Sequence, residues 1–171
     1  AGTDGAAGAY CRQVPRPGCH PFLRDRLDSW AASRLERVIQ EPLEEPAWEA
    51  LEPLQRLSAC AFDDVASCLV RKAWKAHPFP ETAFGEDVAW AAAVLRNGWR
   101  IVYEPGSTVV HSHEMAVWKE YRRIRADHRN LFEVFGVHTV PDRESLRRNT
   151  TAQAAHYAGL LDKSNLAPVA R

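Results

Sequence analysis

The 171 residues have the length of one domain, and 46% of them are hydrophobic, enough to build a core. Lysine plus arginine and aspartate plus glutamate each number 22, so the formal net charge is zero. With a pI near 7.2 the overall field selects no polyanion, and nucleic-acid binding would need a broader basic surface.

Ala1 to Ala9 is short, rich in small residues and charged only at Asp4, which does not read as a signal peptide. The chain opens without Met and is expected to begin partway through a longer protein. Ala6 to Val14 reads as a strand closed by the turn Pro15-Arg16-Pro17-Gly18. Pro21 to Arg37 reads as one helix, because Phe22, Leu23, Leu27, Trp30, Ala31 and Leu35 recur at helical spacing. Gln40 to Pro53, with three prolines and the acids Glu41, Glu44 and Glu45, is expected to be an exposed connection with at most a short helical turn.

Apolar strand material follows from Ala61 to Val70, then a helix from Arg71 to His77 that Pro78 stops. Phe79 to Phe84 is a loop. Glu86 to Asn97 is the clearest helix, with acids in its first turn, Arg96 in its last and Gly98 beyond it. Trp99 to Tyr103 and Ser107 to His111 read as two short strands about the turn Glu104-Pro105-Gly106. A second long helix covers Val117 to Phe135 and ends at Gly136, and a third runs from Asp142 through Leu161 before a frayed tail. Residues 1–140 are taken as the domain body and 141–171 as a C-terminal helix and tail. There is no internal repeat. No apolar run reaches the roughly 20 residues of a membrane helix, so any membrane association of this chain is expected to be peripheral.

The cysteines, Cys11, Cys19, Cys60 and Cys68, form no CxxC pair. Neither a zinc knuckle nor a thioredoxin-type site is indicated, and a reduced, cytoplasmic setting is the simplest reading.

Four segments could carry chemistry. In Phe84-Gly85-Glu86-Asp87-Val88-Ala89-Trp90 two carboxylates open a helix directly after a glycine. The macrodipole favours their ionised form, and an ionised carboxylate facing a cleft can act as general base; an ordinary acidic first turn is the alternative. In Val109-Val110-His111-Ser112-His113 the two histidines share one face of a strand and could reach a metal or phosphate together, or be merely surface histidines. The basic run from Lys119 to Arg129, including Arg122 and Arg123, could hold pyrophosphate or an anionic acceptor, or be a solvated face. Asp63-Asp64, ahead of Ser67, reads equally as a simple turn and as a loop lining an acceptor pocket.

In order and spacing, these segments together with Arg71-Lys72-Ala73-Trp74, Pro78-Phe79-Pro80 and Gly98-Trp99-Arg100-Ile101-Val102-Tyr103-Glu104-Pro105 resemble the acceptor half of bacterial family-2 glycosyltransferases, rhamnosyltransferase-like members included. The resemblance runs from about Tyr10 to about Pro141. It implies an α/β chain with a partial GT-A fold, a mixed sheet flanked by helices and lacking the N-terminal nucleotide-binding half. It also implies inverting transfer from a nucleotide-sugar donor to a hydroxyl of a glycan or lipid-linked acceptor, in cell-surface polysaccharide synthesis at the inner face of the membrane.

Carried onto this sequence, Asp87 is the catalytic base and Glu86 its neighbour. His111, and less directly His113, would bind a divalent metal, Mg or Mn, or the diphosphate. Asp63, Asp64, Ser67, Trp90, Arg122 and Arg123 would contact donor or acceptor. The family's Asp-x-Asp motif does not occur, since Asp25-Arg26-Leu27-Asp28 has the wrong spacing. The chain is therefore expected to be a truncated fragment, silent alone, with an apolar patch left bare beside Ala6–Val14. A metal-dependent hydrolase built on Glu86, Asp87, His111 and His113, and a non-catalytic glycan-binding module, are the competing readings.

Overall fold

The computed structural model describes residues 5–113 and 116–164. Of the frayed tail expected over Ser164 to Arg171, residues 165–171 lie outside them. The chain is α/β, with a four-stranded mixed sheet flanked by helices. β1 (Ala6–Val14) is followed by α1 (Pro21–Asp28), a 3-10 turn at Ala31–Ser33 and β2 (Val38–Gln40). The short helices α2 (Ala47–Ala50) and α3 (Pro53–Ala59) lead through a 3-10 turn at Asp64–Ala66 into β3 (Ser67–Leu69). Then come α4 (Arg71–Ala76), α5 (Glu86–Arg96), β4 (Arg100–Val110), α6 (Val117–Phe135) and α7 (Arg143–Ser164).

The sheet order is β2-β4-β1-β3, with β1 and β4 parallel and the two outer pairs antiparallel. β1 is thus an interior strand with both edges paired, and its residues are buried or half-buried. β1 itself therefore leaves no bare edge, while Val70 and Val110 beside it remain exposed. The outer strands span only three residues each, which leaves little edge for another chain to extend.

Several elements differ from the sequence reading: β2 and α3 were not expected, and the strand material of Ala61 to Val70 yields only the three residues of β3. The helix expected to run to Arg37 stops at Asp28. Ser33 Oγ donates to the carbonyls of Asp28 at 2.7 Å and Trp30 at 2.8 Å, a local alternative to helical bonding of the kind serine offers. The Tyr103 hydroxyl shares its proton between the carbonyls of Ala32 at 3.0 Å and Arg34 at 2.6 Å, tying this segment across the sheet. The two strands expected about Glu104-Pro105-Gly106 are one strand, not a hairpin. Cys11 pairs with Glu104 and the next residue, Arg12, with Thr108, so Pro105 to Ser107 form a bulge while both halves of β4 pair with β1. A bulge tolerates proline, which has no N–H to give to the ladder.

The core is an aromatic chain through the sheet. Tyr103 meets Tyr10 with ring centroids 5.0 Å apart, Tyr10 meets Phe62 at 5.4 Å, Phe62 meets Trp90 at 4.9 Å and Trp90 meets Phe79 at 5.6 Å. α5 supplies the other large buried surface, through Val94 and Leu95. α7 lies against α1, where Phe22 stacks on Tyr157 with centroids 4.2 Å apart. Among the described residues no helix is long and apolar enough to cross a membrane.

Candidate functional site

The register of the sheet decides where the acids meet. β3 runs against β1, with Leu69 opposite Gly8 and Ser67 opposite Tyr10. Asp63 and Asp64, which lead into β3, are therefore delivered toward the carboxyl end of β1. α5 reverses into β4 through Asn97 and Gly98, the latter at φ +80°. Its amino end, Glu86 and Asp87, consequently faces the same way. The carboxyl ends of parallel strands are where open α/β sheets hold ligands.

Carboxylate oxygens of Asp63, Asp64 and Asp87 all lie within 4.8 Å of one another. Asp63 is fixed from two sides, because the Trp30 indole N–H donates to Oδ2 at 3.1 Å and the Val65 backbone N–H to Oδ1 at 3.0 Å. The Val88 N–H donates to Asp87 Oδ1 at 2.8 Å. A helix terminus would by itself hold Asp87 ionised. Burial outweighs that influence: it pushes the Asp87 carboxyl up to about 7, against the Val88 hydrogen bond and with help from Asp63, Asp64 and Glu86. Burial also raises Asp64, followed by the charges of Glu86 and Asp63.

These values fix a pH dependence. An aspartate titrates ordinarily at 3.8 and folded Asp87 at about 7. Between the two the folded state keeps a proton the unfolded chain has released, so stability falls as pH rises through that window and is level above it. The full gap corresponds to ~4 kcal/mol, which the residual solvent contact of Asp87 reduces. Asp87→Asn is expected to stabilise the protein by ~1–3 kcal/mol near pH 8 and to make little difference at acid pH below the ordinary aspartate value. Urea unfolding at both pH values measures this, and an equal gain at both would remove burial as the cause.

Gly85 caps α5 in the left-handed region, at φ +79°. A Cβ there would sit 2.3 Å from Asn130 Nδ2. That same amide, in a side chain 4% exposed, donates to the Gly85 carbonyl at 3.0 Å. α6 is thereby clamped to the start of the helix that carries Asp87. Trp30 and Asn130 were missed in the sequence. The second had a visible signal, a polar residue on the same helix face as Asp127 and Val134; the first had none, since its partner lies in another segment.

His111 follows β4, its N–H bonded to the Val14 carbonyl at 2.9 Å. Its ring meets that of His113 edge-on, centroids 4.4 Å apart. Burial, then the neighbouring His113, lowers its pKa, while Asp63 opposes. Asp63 acts electrostatically on both Asp87 and His111. The three-carboxylate group contains neither histidine. Ser67 is half-buried at the head of β3. Arg123 lies over the Phe84 ring, 4.7 Å from its centroid, whereas Arg122 is exposed on the outer side of α6. Trp90 is fully buried, its indole donating to the His77 carbonyl at 2.8 Å, and it supports the site from within the core.

No family model, curated protein or solved structure matches this chain. Its chemistry rests on its own geometry.

Proposed function

We propose that this chain forms the acceptor side of an inverting glycosyltransferase with a partial GT-A arrangement, and that Asp87 is its general base. The observation that carries the reading is the convergence of Asp63, Asp64 and Asp87 at the carboxyl ends of two parallel strands, with Asp87 opening a helix. A base whose pKa lies near neutrality is half-ionised where it works, the optimum for proton transfer. Asp87 Oδ2 takes the proton of an acceptor hydroxyl as that oxygen bonds to the anomeric carbon. The bond from that carbon to the diphosphate oxygen breaks with its electron pair, and configuration inverts.

The carboxylates of Asp63 and Asp64 are hard oxygen donors that fit Mg or Mn, and they would hold the ion. Bound there, such an ion would neutralise charge developing on the departing diphosphate. Glu86 keeps negative charge beside Asp87, which favours its taking up a proton. Neutral His111 could accept or donate one hydrogen bond at the rim.

The reading is tested with the full reading frame that encodes residues 1–171, by measuring release of nucleoside diphosphate from a panel of nucleotide sugars with Mg or Mn. Release that requires a saccharide acceptor is expected. Release without acceptor would favour the hydrolase, and saccharide binding without release would favour a binding module. In the same assay the 171-residue chain by itself is expected to be silent. Positioning of donor and base together supplies much of the rate, and the sequence has no Asp-x-Asp to grip a diphosphate.

A further inference from the structure

α6 buries apolar side chains only over its last turns, where Phe135 enters the core and Leu131 and Val134 pack against it. Upstream of these, its inward side carries the half-buried Glu120, Arg123 and Asp127 and the buried Asn130. Its outward side carries Val117, Tyr121, Ile124 and Phe132, which at steps of four, three and eight fall on one strip, with His128 between the last two. They are 87%, 53%, 43% and 49% exposed. The adjoining strip, again at steps of four and three, is Trp118, Arg122, Arg125 and Arg129, all exposed. Trp118 and Tyr121 stack across the two strips with ring centroids 5.1 Å apart. Arg129 is paired with Glu133 at 2.7 Å, but Arg122 and Arg125 have no ion pair among the described residues.

Exposed apolar residues scattered singly need no explanation, but a contiguous strip does. An ordinary amphipathic helix buries such a strip against its own core. Over the first turns of α6 the inward side is polar, and Asn130 behind it is bound to the Gly85 carbonyl. The apolar side is left for something outside the fold. Its composition identifies the occupant. Aromatic and aliphatic side chains beside arginines on one helical face fit the boundary between acyl chains and negatively charged headgroups, where the rings enter the interface and the guanidiniums meet phosphates.

We infer that the outer face of α6 docks this protein on an anionic lipid surface, the helix lying in the plane of the interface. The docking does not depend on the reaction assigned above. Arg122 and Arg125 supply the charge attraction, and Trp118, Tyr121 and Val117 supply the apolar contact. Among the described residues no helix is long and apolar enough to cross a membrane, and with a net charge of zero the attraction has to come from local charge such as this.

The test is cosedimentation of the 171-residue chain with vesicles of phosphatidylcholine alone and of phosphatidylcholine containing phosphatidylglycerol. Binding is expected only to the anionic vesicles and is expected to weaken with salt. Arg122→Glu with Arg125→Glu should lower partitioning roughly 100-fold, since each basic residue near such a surface contributes several-fold and reversal adds repulsion. Trp118→Ser with Tyr121→Ser should lower it ~10-fold or more. These side chains are exposed, and circular dichroism checks that the variants fold. Arg143→Glu with Arg147→Glu, the same charge change on the exposed side of α7, should alter binding less than ~3-fold.

Absence of binding to anionic vesicles would overturn the inference, and so would equal loss from the α7 pair. Sedimentation velocity without lipid adds a third criterion. A monomer is expected, and self-association abolished by the α6 arginine substitutions would show instead that a second copy covers this face.

Discussion

Replacing Asp87 with asparagine is expected to lower acceptor-dependent turnover ~10²- to 10⁴-fold while leaving acceptor and donor binding nearly unchanged. Asparagine keeps the shape and can still accept the Val88 N–H, which lies 2.8 Å from Oδ1, but it cannot take a proton. The same substitution is expected to stabilise the fold near neutral pH, so lost activity could not be attributed to unfolding. The pH profile gives an independent reading. If Asp87 in the free enzyme titrates at about 7, kcat/KM should rise with pH through that value and then level. A flat profile, or an Asp87→Asn enzyme within tenfold of the parent, would assign the base elsewhere and leave Asp87 as a charge in the cluster.

Trp90→Ala is expected to cost ~3–5 kcal/mol of stability. Trp90 is fully buried, sits between Phe62 and Phe79, and would lie 3.3 Å from a Cβ placed on Gly8 of the central strand. Truncation opens a cavity at the middle of the aromatic chain and removes the donor bonded to the His77 carbonyl, an acceptor that then loses its partner. Domains of this size are stable by only ~5–15 kcal/mol, so the variant should unfold at much lower urea. The midpoint and slope of a urea titration measure it. Trp90→Phe, which keeps most of the ring volume, should lose roughly a third as much. A loss below ~1 kcal/mol would mean that the core closes around the gap. The outcome also distinguishes two roles for this residue: a substrate contact would raise KM at unchanged stability, whereas a core residue does the reverse.

What the sequence showed well were elements whose signals are local. α6 begins at Val117 and ends at Phe135 with Gly136 at φ +75°, as periodicity and the terminal glycine indicate. α5 and β1 were equally plain. What it hid depends on distant partners. The apolar spacing of Phe22 to Leu35 is helical, yet the chain leaves the helix at Ser29 because Trp30 turns to Asp63 and the following carbonyls are taken by Tyr103. Glu104-Pro105-Gly106 has the composition of a hairpin turn, and only the parallel pairing with β1 shows it to be a bulge. In the site, Glu86 and Asp87 were visible from their place at a helix start. Their approach to Asp63 and Asp64 follows from the antiparallel register of β3, which no local pattern encodes. α6 misleads in another way: its pattern is amphipathic throughout, but only its last turns bury apolar side chains, at Leu131, Val134 and Phe135, while Val117, Tyr121 and Ile124 face out.

The pairing of β1 with β4 also sets an order of events during synthesis. Ala6 emerges first, but its partner in the parallel ladder is Arg100, and Val14 must wait for Val110. β3 arrives earlier and closes the shorter loop, so the antiparallel edge can form while most of the sheet is still unmade. Until residues 100–110 leave the ribosome, the central strand has one open side, and closing the long loop that joins it to β4 is the slow, entropically costly step. Folding of this chain should therefore be governed by its most separated contacts, and a nascent polypeptide stopped before Arg100 should expose β1 to chaperones or to like strands.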